Sequence, residues 1–419
     1  MATKKRKKPS DSQQRAQGRP VQKMAGQKMA GQKPVKQKKV KKHTRQQIRF
    51  FDYSMLAVIV FLMCFGLVML YSISSYQAQT KFGDDMYFLK RQATFSMAGI
   101  IGMLWVARWD YHRYAKWSPY LFGFGMFLMA LVEFTPLGKE VNEARRWIRL
   151  PANQQFQPSE VVKIAIILFI PYVICKMGKK IHTFKGSMAV LGIGLIAFFG
   201  VFKWTDNLST GIIVFGIVYA IVTVVHKRSE LFLAAAGGVI ALGVAGSLVL
   251  GKVLENSTNF RLRRILAWLR PEDFAATSAY QTMQGMYAIG SGGFFGKGLG
   301  NGAQKMIIPE VQNDMILSAI CEELGVFGAI IILVLFGLLL YRLLFIAQNA
   351  PDIYGSLIVT GIMAHIAIQV ILNIAVVTNV IPNTGITLPF ISYGGTSVVF
   401  LTAEMGIALG VSRKIKVEE

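Results

Sequence analysis

Residues 307–328 read "IIPEVQNDMILSAICEELGVFG" and open an apolar run that continues as "AIIILVLFGLLL" to residue 340. Uninterrupted apolar length of this kind is the mark of a membrane-spanning helix. Yet Asp314 stands at its threshold, and Glu322 and Glu323 fall among its apolar residues. A carboxylate at the centre of such a helix is disfavoured by about 2.5–3.5 kcal/mol on insertion scales. Their presence calls for a physical reason.

The rest of the chain supports the membrane reading. Of 419 residues, 53% are hydrophobic and only 16% are charged, where a soluble domain carries about 25% charged residues. Ten apolar spans are expected, at 52–74, 92–107, 118–136, 160–176, 187–203, 208–225, 231–251, 314–342, 355–378 and 395–412. The expected fold class is an all-α polytopic membrane protein, with 49–419 as one helical domain. Basic connections ("ARWDYHRYAK", "CKMGKKIHTFKG", "HKRSE", "SRKIK") alternate onto one face, which makes that face cytoplasmic and puts both termini inside.

The net charge of +24 is concentrated at the start of the chain: residues 1–50 hold 17 Lys and Arg against a single acid, Asp11. The segment 1–48 has too few large apolar residues for a core and reads as a disordered cytoplasmic tail. Anionic lipid headgroups are its expected partner, with protein docking as the alternative. Nucleic acid is not expected, because no aromatic residues are interleaved with the lysines. Cys64, Cys175 and Cys321 lie in apolar segments without paired spacing, and the five histidines are scattered. Neither pattern suggests a disulfide framework or a metal site.

Two external segments break the charge rule. One, at 137–159, contains "EARRWIRL"; the other, at 252–313, is a large connection between the seventh and eighth spans. Connections of that length are uncommon and tend to be functional. Within it Leu262, Ile265, Leu266 and Leu269 fall on one helical face, flanked by Arg261, Arg264 and Arg270. This predicts an amphipathic helix on the outer leaflet. Arginines there suit an anionic, lipid-linked ligand, or simple anchoring to lipid phosphates. "GSGGFFGKGLGNG" (290–302) holds seven glycines in thirteen residues. It has neither the register nor the preceding strand of a nucleotide loop, so close backbone approach is what it offers.

Glu160 and Lys163, three apart in "FQPSEVVK", are spaced to pair across one helical turn. They form either a local neutralising pair or a site where Lys163 meets phosphate or Asp314. Glu322 and Glu323 are expected to be structural, bonded to neighbouring helices. Asp314 reads equally as a helix N-terminal charge, with Asn313 placed to cap, or as a catalytic base. Glu404, inside the last span, has no explanation from the sequence.

The blocks "ARRWI", "FQPSEVVK", "RILAWLRPEDF…AYQTMQGMYAIGSGGFFGKGLGNGAQK", "PEVQNDMILSAICEELG" and "LPFISYGGTS" (388–397) occur in this order. They resemble the signature blocks of the SEDS family, the shape, elongation, division and sporulation proteins, from about residue 50 to 413. "GKGLGNGAQK" is closer to the division type, FtsW, than to the elongation type, RodA. The resemblance implies a ten-helix glycosyltransferase that polymerises lipid II, an undecaprenyl-pyrophosphate-linked disaccharide peptide, at the outer face of the bacterial cytoplasmic membrane. It further implies a class B penicillin-binding transpeptidase and other division proteins as partners, and a place at the division septum.

Carried over by position, the essential aspartate of the family's "PEAHTDF" motif falls on Asp314 in "PEVQNDM". Its neighbours there are Gln312, Asn313 and Met315, so their roles do not transfer. The resemblance puts Arg146, Glu160, Lys163, Lys297 and Ser392 at the substrate. Glu143 replaces a usual glycine in "NEARRW", and Asn207 stands where an aspartate is common. No organic cofactor or protein-held metal is implied; a divalent cation, Mg or Mn, is compatible with a pyrophosphate leaving group. A flippase for the lipid-linked precursor is the rival reading, and a non-catalytic scaffold is a third. Transporters usually bind at the membrane midplane between internal repeats, and no clear repeat is present here.

Overall fold

The computed structural model describes residues 48–141, 144–150, 154–253 and 260–417. The chain divides into two units, Met1–Arg45 and Gln46–Glu419. The expected basic tail lies, apart from its last residue, outside the described residues, as does Glu143.

Ten helices occupy the places of the ten expected spans. They are α1 (Tyr53–Phe82), α2 (Tyr87–Val106), α3 (His112–Phe134), α4 (Pro158–Met177), α5 (Phe184–Trp204), α6 (Leu208–Val225), α7 (Ser229–Val253), α10 (Ile316–Asn349), α11 (Ile353–Val377) and α12 (Thr396–Ser412). The connection at 252–313 folds two more, α8 (Phe260–Leu269) and α9 (Tyr280–Gly292). Helix α8 covers the amphipathic stretch. Among the described residues, eight helices are long and apolar enough to cross a membrane. Of the other two, α12 has only 17 residues, and α2 carries Lys90, Arg91 and Gln92 in its first turns.

These helices are apolar all round, as lipid-embedded helices are. Ile59, Ile166, Ile217 and Ile362 are wholly enclosed, whereas Phe61, Phe127, Ile196 and Leu338 face outward. Helix α11 is the most enclosed of the eight and α7 the least. A two-residue strand, β1 (Ile48–Arg49), pairs with β5 (Lys416–Val417) at the far end of the chain. Beside it Asp52 caps α1 by accepting from Met55 N–H (2.9 Å) and pairs with Arg342 (2.8 Å). The two ends of the described chain therefore meet on one side of the bundle.

Helix boundaries depart from the apolar pattern where polar residues find partners inside. Helix α1 runs on past residue 74 because Ser74 donates to its own turn at Leu70 and Gln77 donates to the Lys305 and Ile308 carbonyls. Helix α2 starts before residue 92, with Lys90 on Asp84 (2.8 Å) and Arg91 on the Tyr87 hydroxyl (2.6 Å).

Within the expected external segment 137–159, the described residues form a small antiparallel sheet of β2 (Gly138–Val141), β3 (Ala144–Leu150) and β4 (Gln154–Phe156) in that order. Ile148 stands at its centre, paired with both Gly138 and Phe156. Trp147 and Ile148 are good strand formers, and Arg146 is carried on the same strand.

Candidate active site

The eighth apolar span is not one continuous helix. At Gly325 the backbone of α10 takes φ 68° and ψ −164°, which breaks the helical path. The Gly-rich loop docks into this break. Lys297 and Gly298 N–H groups donate to the Glu322 and Glu323 carbonyls, both at 2.9 Å, and Val326 and Phe327 N–H groups donate to Gly293 and Phe294, both at 3.0 Å. Side chains would prevent the contact. A Cβ on Gly325 would lie 2.3 Å from the Phe294 carbonyl oxygen, and one on Gly296 would lie 2.2 Å from that of Glu323. Close backbone approach is what the glycines provide.

The two glutamates at the break are fully buried and fully engaged. Glu322 takes the Lys297 ammonium at 2.7 Å and the backbone N–H groups of Ala303 and Gln304, both at 3.0 Å. Glu323 takes Lys305 at 2.8 Å and the Ser72 hydroxyl at 2.5 Å. Lys305 also donates to the carbonyls of Ser72 and Gly300. Ion pairs in low dielectric hold only when the remaining hydrogen-bonding positions are met, and here the loop and Ser72 of α1 supply the partners. Lys297, expected at the pyrophosphate, is found on Glu322.

Asp314 precedes α10, in irregular backbone. The helix begins at Ile316 with Met315 as its N-cap and no side-chain cap. The capping roles considered for Asn313 and Asp314 are therefore not taken up: Asn313 donates to Glu310 (3.0 Å), and Asp314 turns elsewhere. Its Oδ1 accepts from Gln281 Nε2 of α9 at 3.0 Å. Gln281 Oε1 in turn accepts from Asn383 Nδ2, also at 3.0 Å, and Asn383 Oδ1 takes the Gly385 N–H. From α11, the buried Asn373 holds the Asp314 carbonyl at 2.9 Å and the Ile386 carbonyl at 2.7 Å. Asp314 is 9% exposed; Gln281 donates to its carboxylate, Asn373 to its backbone carbonyl, and Asn383 holds Gln281 in place.

Glu160 and Lys163 form a buried pair at 3.0 Å across one turn of α4. Arg146 donates to the Asp206 carbonyl at 3.2 Å, where Asp206 adopts a left-handed φ of 47°. Asn207, next to it, caps α6 by accepting from Thr210 N–H (3.0 Å). Ser392, expected at substrate, is buried, and its hydroxyl accepts the Leu388 N–H at 2.8 Å; it shapes the 388–395 turn. Glu404 meets His365 at 2.7 Å, both enclosed between α11 and α12. Sequence reasoning misses Gln281, Asn373 and Asn383; only Asn373 carries a signal there, as an amide in the apolar run of α11. Among the described residues no three His, Cys, Asp or Glu side chains are grouped to hold a metal ion.

The FtsW/RodA/SpoVE cell cycle protein family matches residues 53–417. Stage V sporulation protein E of Bacillus subtilis is 39% identical over 86% of this chain and 97% of its own length. A probable peptidoglycan glycosyltransferase FtsW from Trichlorobacter lovleyi is 36% identical over 87% and 94%. Among solved structures, a chain of an assembly described as "Structural coordination of polymerization and crosslinking by a peptidoglycan synthase complex" superposes with a TM-score of 0.69 at 26% identity, covering 87% of this chain and 98% of that one. The rod shape determining protein RodA of Thermus thermophilus shares the fold, with a TM-score of 0.62 at 23% identity over 87% and 97%. With the match running through nearly all of the helical unit, the chain belongs to the FtsW/RodA/SpoVE family of cell cycle proteins.

Proposed function

We propose that this protein is a peptidoglycan glycosyltransferase that polymerises lipid II, with Asp314 as the general base. The names of its relatives support the reaction class. The observation that carries the assignment is the Asp314 carboxylate, nearly enclosed and held by the neutral Gln281 amide. In this proposal Asp314 removes the proton from the 4-hydroxyl of the acceptor sugar. That oxygen bonds to the anomeric carbon of the donor, the bond from that carbon to the lipid pyrophosphate breaks, and the configuration inverts. General-base assistance contributes typically about 10²–10⁴-fold.

Charge developing on the pyrophosphate needs cations. Arg146, Lys163 and Lys297 are the proposed sources; Lys163 and Lys297 would trade part of their present ion pairs for phosphate. A Mg or Mn ion would belong to the pyrophosphate and not to a protein ligand cage. The orientation proposed is both termini inside, with Asp314 at the outer face, in the cytoplasmic membrane of a bacterium. The proposed partners are a class B penicillin-binding transpeptidase and other division proteins, and the proposed place is the septum. The basic tail is assigned to anionic lipid.

The test is lipid II polymerisation by purified protein, alone and with its cognate transpeptidase, comparing wild type with Asp314→Asn. Polymer from wild type and at least about 10² less from the mutant is expected. Near-normal polymer from the mutant removes Asp314 from this role. Lipid translocation without polymer from wild type would make the protein a flippase.

A further inference from the structure

A cavity of about 530 Å³ opens where α3 begins and α4 stops. This is the end of the bundle at which the described chain ends meet: Asp110, two residues before α3, binds Lys414, two residues before β5, at 3.0 Å. Five side chains form an apolar wall, Pro119 from α3 and Phe169, Tyr172, Val173 and Met177 from α4. The Phe169 ring stacks on Phe122 with 5.0 Å between centres, which fixes the end of the wall furthest from the helix terminus. Lys176 and Lys180 complete the lining. From Phe169 to Lys176 the wall extends about 10 Å along the helix axis. Among the described residues that line the cavity there is no acid, and the Lys176 ammonium lies over the Tyr172 ring at 5.9 Å. At the same end of the bundle Trp105, Trp109, Trp117 and Tyr120 face outward. Exposed tryptophan and tyrosine gather at the level of lipid headgroups. The two lysines are then at headgroup level and the apolar wall is on the acyl side of them, which is how a lysine stem lies at such an interface.

We infer that this cavity binds one anionic phospholipid from the leaflet on this side of the membrane, the side proposed above as cytoplasmic. Its phosphate meets Lys176 and Lys180, and the first carbons of an acyl chain lie on Phe169, Tyr172, Val173 and Met177. The inference stands apart from the reading of Asp314. Each part of the cavity argues against a rival occupant. A lipid without net charge would leave two cations without an anion, and a free phosphate would leave the aromatic wall bare. The basic segment 1–48 has the same sign of charge as the lysines and is repelled. The volume is about that of a single helical turn, too little to seat a partner's helix, and it lies within the roughly 300–1,000 Å³ of sites that hold one small molecule.

The probe is phosphatidylglycerol carrying a photoactivatable diazirine in one acyl chain, titrated into detergent micelles of the full-length protein. Labelled peptides are mapped by mass spectrometry, which separates this site from lipid held elsewhere. Labelling should fall on Pro119 and on residues 169–177. Each lysine beside an anionic headgroup carries about a fivefold change in affinity, so Lys176→Gln combined with Lys180→Gln should need about 25-fold more probe for half-maximal labelling. Phosphatidylcholine with the same chains should label these residues at least about fivefold less than phosphatidylglycerol does. Lys179→Gln combined with Lys185→Gln removes the same charge from exposed positions outside the lining and should leave the labelling unchanged. Val173→Trp fills the cavity with every charge kept and should suppress the labelling; it decides the matter if the first double variant unfolds. Equal labelling by the two lipids, equal losses in the two double variants, or full labelling of Val173→Trp overturns the site. Suppression by excess glycerol phosphate would make it a phosphate site and overturn the lipid as its occupant.

Discussion

Two carboxylate settings lie close together in the sequence around the start of α10, and they are built on opposite plans. Glu322 and Glu323 are fully buried, each paired with a lysine and each with a further donor from the loop or from α1. Asp314 sits before the helix, at the edge of burial, and one of its oxygens accepts from the neutral Gln281 amide. The two glutamates are locked into place by ammonium and N–H groups at the break, whereas the printed side-chain hydrogen bond of Asp314 comes from an amide of the external connection. The opening puzzle of three acids in an apolar run therefore has two answers: two acids close a break in a helix, and the third stands ahead of the helix, where the proposed chemistry needs it.

The largest expected effect falls on the buried side. Glu323→Ala leaves the Lys305 ammonium, 5% exposed in its side chain, without its counter-charge, and breaking such a pair from one side costs about 3–5 kcal/mol. Thermal unfolding in detergent should show a large loss of stability. Asp314→Asn should show less than about 1 kcal/mol in the same measurement while polymerisation falls at least about 10²-fold, equivalent to about 2.7 kcal/mol in the barrier. If the two variants lose stability equally, the contrast between the settings collapses.

Next is the hinge of the break. Gly325→Ala forces an L side chain into φ 68° and against the Phe294 carbonyl, for about 1–3 kcal/mol. Because the Gly-rich loop docks there, proteolysis of 290–302 should accelerate together with the stability loss. Lys297→Met should cost less, about 1 kcal/mol, since Lys297 is 36% exposed in its side chain and Glu322 keeps two backbone donors. Its polymerisation then sharpens the comparison. Loss of rate beyond the loss of stability would give Lys297 a phosphate role in addition to its structural one.

The spans were legible because lipid solvation demands long apolar stretches, and this signal is local. The ends of α1 and α2 were not, because Gln77, Lys90 and Gln92 look like terminators until their distant partners are known; Gln92, for instance, holds the turn at Ser392 and Gly394. The β2–β3–β4 sheet was hidden for the same reason, as three short strands are stabilised by one another more than by their own residues. At the site, Asp314 could be named from a motif, but its hydrogen-bond partner Gln281, 33 residues before it and tied to Asn383, 102 residues beyond Gln281, could not. Ser392 shows the converse. It lies in a signature block, yet its hydroxyl serves the backbone of its own turn.

The smallest expected effect marks the boundary of the helical unit. Residues 1–45 are dominated by lysine, arginine and glutamine and hold almost no large apolar side chains, so their removal takes little buried surface from the fold. Yet β1 begins at Ile48 and pairs with β5 at Val417, and Asp52 both caps α1 and binds Arg342. A deletion of residues 1–45 should therefore leave the unfolding temperature essentially unchanged and polymerisation within a few-fold of wild type. Binding to vesicles rich in anionic lipid should fall, because each lysine or arginine near such a surface is worth about 1 kcal/mol. Extending the deletion through residue 52 should cost stability at once, by about 1 kcal/mol or more for the lost cap alone, with Arg342 stripped of its partner besides. If the shorter deletion already lowers the unfolding temperature, the unit begins earlier in the chain than β1. If the longer one is silent, the pairing of the chain ends is not part of what holds the bundle closed.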